Sequence, residues 1–145
     1  MGGGKGLLAY LLHEKGWEVT VIDPVKTLPL LKFKDFACGN RVKLDEKDWD
    51  KIDWIEKEFD IGMISDFDLI VGLHAHGVNM KIIEGCAKHQ KKFVLLPCCV
   101  IEEPIEKKPG INWFDSLVGY ASGLGLDAKT DVLNFKGKNM ILYLE

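Results

Sequence analysis

The stretch Asp68-Leu-Ile-Val-Gly-Leu-His74, followed by Val78 to Gln90 and then by Phe93-Val-Leu-Leu-Pro97, decides the fold class. The two short apolar runs read as strands buried on both faces. Between them Val78, Ile82, Ile83, Cys86 and Ala87 fall on one side of a helix over 78–90. A strand, a crossover helix and a second strand make two parallel neighbours. Upstream, Leu7, Leu8, Leu11 and Leu12 predict a helix over 5–15, and Glu18-Val-Thr-Val-Ile22 predicts a strand stopped by Asp23-Pro24. Residues 24–40 hold a short helical turn at most, and 41–44 fit a short strand. Trp49, Ile52, Ile55 and Phe59 recur at spacings of three and four and predict a helix over 46–59. Downstream, 102–110 reads as an exposed loop and 112–125 as a helix. The strands 131–135 and 139–144, linked by Lys136-Gly137-Lys138, read as an antiparallel hairpin. Alternating strands and helices predict an α/β protein, its sheet mostly parallel with a C-terminal antiparallel hairpin. Ligands of such sheets bind beyond the carboxyl ends of the strands.

Composition agrees. A chain of 145 residues is one domain of ordinary size, 1–145, and 47% hydrophobic with 28% charged residues is a globular balance. A net charge of −3 excludes a strongly basic nucleic-acid footprint. No apolar run approaches the roughly 20 residues that span a bilayer. Met1-Gly-Gly-Gly-Lys-Gly6 lacks the plan of a signal peptide. Cys38, Cys86, Cys98 and Cys99 are then expected as reduced thiols in a cytoplasmic chain, with Cys38 and Cys86 as packing residues.

Gly2, Gly4 and Gly6 form Gly-x-Gly-x-Gly at the mouth of a helix, and Asp23 ends the next strand. Glycine allows a tight turn and close approach of a ligand. A carboxylate at that strand end accepts hydrogen bonds from ribose hydroxyls. The pattern misses the dinucleotide fingerprint, because Leu7 stands at its third glycine, and it is no P-loop. It suits a nucleoside ligand; the plain alternative is a linker.

His74 and His76 follow one central strand, and Cys98 and Cys99 follow its neighbour. Two imidazoles and two thiols suggest zinc. The usual ligand spacings are absent, however, and consecutive cysteines of an extended chain point to opposite sides, so no metal is expected. His74 reads either as a general base or as a residue that hydrogen-bonds its own loop. Asp45 reads either as a contact to an adenine amino group or as the N-cap of the following helix. Trp49, Trp54 and Trp113 are expected in the core or at its rim, and His13 and His89 on helix surfaces.

Gly2-Gly-Gly-Lys-Gly-Leu-Leu-Ala9 with Val21-Ile-Asp23 resembles motif I and the ribose-binding strand end of Rossmann-like methyltransferases that use S-adenosylmethionine. Asp68-Leu-Ile-Val-Gly-Leu-His74 and Phe93-Val-Leu-Leu-Pro-Cys-Cys-Val100 look like the paired signature of one poorly characterised methyltransferase-like group. They are more loosely similar to enzymes that methylate ribose 2′-hydroxyls of tRNA. Asn134 to Tyr143 resembles the closing hairpin of that group. The resemblance implies a seven-stranded sheet with S-adenosylmethionine over Gly2, Gly3, Gly4, Gly6, Asp23 and Asp45. It implies His74 as the catalytic base, with His76, Pro97, Cys98 and Cys99 on the substrate side. Family members carry an apolar first strand just before the glycines. Met1 stands in its place, so the domain reads as N-terminally truncated relative to the family, with an open sheet edge that offers a homodimer interface. The expected function is a methyltransferase whose acceptor is an RNA or a small molecule. The alternative is a catalytically inactive binding module of the same fold; a nicotinamide oxidoreductase is disfavoured by the glycine spacing.

Overall fold

A computed structural model describes residues 4–27, 30–35, 37–106 and 109–145. Among them the chain is a mixed α/β protein that divides into two compact units, one running to Glu58 and the other from Phe59 to Glu145.

The first unit opens with α1 (Leu7–His13), then β1 (Thr20–Ile22), β2 (Lys32–Lys34), β3 (Arg41–Lys43), α2 (Glu46–Trp49) and β4 (Asp53–Ile55). β1 and β4 run parallel, with Val21 opposite Trp54. β2 and β3 form a separate antiparallel pair. Ala9, Val21, Leu44, Trp49 and Ile52 make the core, flanked by Tyr10, Phe33 and Trp54. The short strand expected at 41–44 is β3, but one expectation is corrected here: the helix over 46–59 is one turn only, followed by β4, the strand beside β1. The three-and-four spacing misled because Trp49 and Ile52 close a turn onto the core, with Ile52 N–H donating to the Trp49 carbonyl at 3.1 Å. After that turn Asp53-Trp-Ile55 extends, as β-favouring residues do.

The second unit begins with a 3₁₀ turn, Ile61–Asp66, followed by β5 (Leu69–Leu73), α3 (Asn79–His89), β6 (Lys92–Leu96), α4 (Trp113–Gly123), β7 (Lys129–Val132) and β8 (Met140–Leu144). β5 and β6 are parallel neighbours joined by α3, as their apolar runs predict. Ile82, Ile83 and Cys86 on α3 and Phe93 and Leu95 on β6 are fully buried. The terminal hairpin is antiparallel as expected, and β8 lies between β6 and β7. The sheet order is therefore β5-β6-β8-β7. Of its three pairings one is parallel, so the larger sheet is mixed rather than mostly parallel. No helix among the described residues is long and apolar enough to cross a membrane.

Candidate functional site

The expected site residues fall into both units, and each group is built by its own unit. Gly2 and Gly3 lie outside the described residues. In the first unit Gly4 and Gly6 both take left-handed backbone, with φ of 49° and 80°. They are glycines for different reasons. A Cβ on Gly4 would meet nothing among the described residues. A Cβ on Gly6 would lie 2.5 Å from the ring of Trp49 and 3.2 Å from that of Trp54, so Gly6 serves the packing of α1 on two indoles.

Asp23 follows β1 directly, and its Oδ1 accepts the Val25 N–H at 3.0 Å. Asp23 is half-buried, and among the described residues no hydrogen bond to its Oδ2 is seen. The segment after Asp23 is tied to the glycine turn: the Thr27 hydroxyl donates to the Gly4 carbonyl, and Leu30 N–H donates to the Lys5 carbonyl at 3.2 Å. Strand end and glycine turn are thus held side by side by the chain's own hydrogen bonds. The chemistry of the donor set, a carboxylate beside a turn without a side chain at Gly4, is of the kind an adenosyl group needs.

Asp45 is the N-cap of α2. Its Oδ1 accepts from Lys47 and Asp48 N–H, and Asp48 returns the bond to Asp45 N–H, a complete capping box. The residue that follows β4, and so ends the strand beside Asp23's strand, is Glu56. The three-and-four spacing of Trp49, Ile52, Ile55 and Phe59, which points to a helix, hides this strand end. Asp53-Trp-Ile-Glu56, an aromatic and a β-branched residue before an acid, was the available signal.

In the second unit the loops after β5 and β6 meet. His74 has φ 52°, rare for a residue with a side chain, and its N–H donates to the Leu96 carbonyl at 3.0 Å. Gly77, at φ 69°, lets the Glu102 backbone approach: a Cβ there would stand 2.9 Å from Glu102 Cβ. Asn79 is 1% exposed, and its amide donates to the Ala75 carbonyl at 2.9 Å. Glu103 Oε1 accepts both the Asn79 N–H (2.8 Å) and the Asn79 amide (2.7 Å), and Oε2 accepts the Met80 N–H at 3.2 Å. These contacts clamp residues 74–79 to residues 97–103.

Three side chains converge there. His76 Nε2 lies 3.0 Å from Cys98 Sγ and 3.3 Å from Cys99 Sγ, and the two sulfurs are 3.5 Å apart. The imidazole is exposed, both thiols are half-buried, and Pro97 beside them is buried. Burial and the neighbouring Cys99 push the Cys98 thiol above its ordinary pKa. This corrects the expectation that the two cysteines diverge. β6 ends at Leu96, and beyond Pro97 the chain is no longer a strand, so side chains need not alternate. His74 is exposed and does not join the trio.

Of the other candidates, Trp49 is in the core, and Cys86 is fully buried, its thiol pushed up to about 12 by that burial. Cys38, expected as a packing residue, is exposed and donates to Asp35 Oδ2 at 3.3 Å. Glu103 was missed, because nothing local in the sequence marks an acid that reaches a helix start 24 residues earlier.

No protein-family model, curated protein or solved structure matches the chain.

Proposed function

We propose that the chain is an S-adenosylmethionine-dependent methyltransferase of Rossmann-like fold. The observation that carries the reading is that the segment after Asp23, which follows β1, is hydrogen-bonded to the glycine turn, Thr27 to the Gly4 carbonyl and Leu30 N–H to the Lys5 carbonyl. Carboxyl ends of parallel strands are where open α/β sheets hold ligands, and an acid there suits the two hydroxyls of a ribose. The larger sheet lends further support. Its β5-α3-β6 crossover and the hairpin that lays β8 against β6 suit the resemblance in the paired signature and in residues 134–143.

S-adenosylmethionine, when bound, supplies an electrophilic methyl group. Asp23 holds the ribose through Oδ2, and the Gly4 backbone admits the ligand closely. Glu56 offers a second acceptor at the neighbouring strand end. The protein's main contribution would be alignment of the acceptor with the methyl group.

Isothermal titration of the full chain with S-adenosylmethionine tests this. Saturable binding is expected, weakened about tenfold or more by Asp23→Ala, the loss of one charge-assisted hydrogen bond. NAD is expected to give no thermal shift. Absence of S-adenosylmethionine binding overturns the reading in favour of a binding module without the activity, and equal binding by Asp23→Ala overturns the role given to Asp23.

A further inference from the structure

We propose that His76, Cys98 and Cys99 form a binding site for one thiophilic divalent cation, with zinc the best match. The inference goes beyond methyl transfer and does not depend on it.

Three donor atoms lie within 4.8 Å of one another in a single cluster, one imidazole nitrogen and two sulfurs. Zinc binds such donors tetrahedrally at about 2.0–2.1 Å from nitrogen and about 2.3 Å from sulfur, which sets neighbouring donors about 3.5–3.8 Å apart. The observed separations of 3.0, 3.3 and 3.5 Å sit just inside that triangle. Hydrogen bonding alone serves the cluster poorly. Nε2 carries one in-plane lone pair or one proton, so it can satisfy one sulfur at a time. A cation between the three takes a lone pair from each. The charges also close, because two thiolates neutralise a divalent ion.

The site is built rather than incidental. Glu103 ties its loop to Asn79 and Met80, and Gly77 lets the Glu102 backbone lie close, so the loops that carry His76 and the two cysteines are fixed together. Three protein donors leave a fourth position for water or another exogenous donor, the plan of an open zinc site rather than a closed structural one. Binding exchanges two S–H bonds for two metal–sulfur bonds and releases both protons to solvent.

The test uses the full chain, stripped of metal, kept reduced with a phosphine, and checked for four free thiols. Cobalt(II) is the probe. One equivalent is expected to produce tetrahedral visible bands and a thiolate-to-cobalt charge-transfer band, both abolished by added zinc. Cys98→Ser, Cys99→Ser and His76→Gln should each weaken cobalt binding about tenfold or more, the least that ligand loss costs when even outer partners cost that much. Cys38→Ser should change nothing. Should a variant unfold, the unmodified chain still decides: zinc should shield Cys98 and Cys99, but not Cys38, from iodoacetamide. The proposal is overturned by a missing charge-transfer band, by cobalt binding that survives Cys98→Ser/Cys99→Ser, or by alkylation that zinc does not slow.

Discussion

Glu103 holds Asn79 twice, through its backbone N–H at 2.8 Å and its side-chain amide at 2.7 Å, both on the same carboxylate oxygen. A carboxylate from a distant loop thereby does at the start of α3 what a neighbouring Ser or Asp does at most helices. Val78, the residue in the capping position, makes no such bond.

Glu103→Ala should therefore cost about 2 kcal/mol, a lost cap plus a buried amide left short of a partner. Urea unfolding checks this. An unchanged midpoint would show that α3 is capped by solvent instead.

Gly6→Ala should be among the most damaging single changes in the first unit. It places a Cβ 2.5 Å from the Trp49 ring on backbone at φ 80°. Left-handed strain and overpacking together amount to about 2–4 kcal/mol. Gly4→Ala should cost less, since its Cβ meets nothing among the described residues. Thermal melts of the two variants give the comparison.

Asp45→Ala should remove the capping box of α2 and cost about 1 kcal/mol, whereas Asp45→Asn should stay within a few tenths. On the proposed reading both should keep the S-adenosylmethionine affinity of the unchanged chain. A loss of affinity in Asp45→Asn, with stability preserved, would return Asp45 to the nucleoside site.

Burial holds the Cys86 thiol protonated up to about 12 in the folded chain, against 9.0 for a free thiol. Between these values the unfolded chain has released a proton that the folded chain keeps. Stability is thus fully present below about pH 9 and declines as pH rises toward 12. Melting temperature should fall as pH rises above 9, and Cys86→Ala should reduce that fall, the raised Tyr10 and Tyr120 hydroxyls contributing in the same direction. A flat profile in the unchanged chain would contradict it.

The central crossover was legible because its signals are local and mutually consistent. Leu69 to Leu73 and Phe93 to Leu96 are runs too apolar for a surface, and Ile82, Ile83 and Cys86 repeat at helical spacing. β4 was not legible, since Trp49, Ile52, Ile55 and Phe59 share a helical rhythm that comes from a turn followed by a strand. β2, only Lys32-Phe33-Lys34, is too short to leave a pattern. At the candidate sites, Asp23 announced itself by ending a β-branched strand. The meeting of His76 with Cys98 and Cys99 depends on where two loops go after their strands end, and the non-local bond from Glu103 to Asn79 governs that. No periodicity records it.

The packing of two indoles against Gly6 has an optical consequence. Trp49 and Trp54 lie against the same few atoms of backbone, next to the turn at Gly4. Anything that settles on that turn changes the surroundings of a natural fluorophore, so occupancy can be followed from the protein's own emission, without a label.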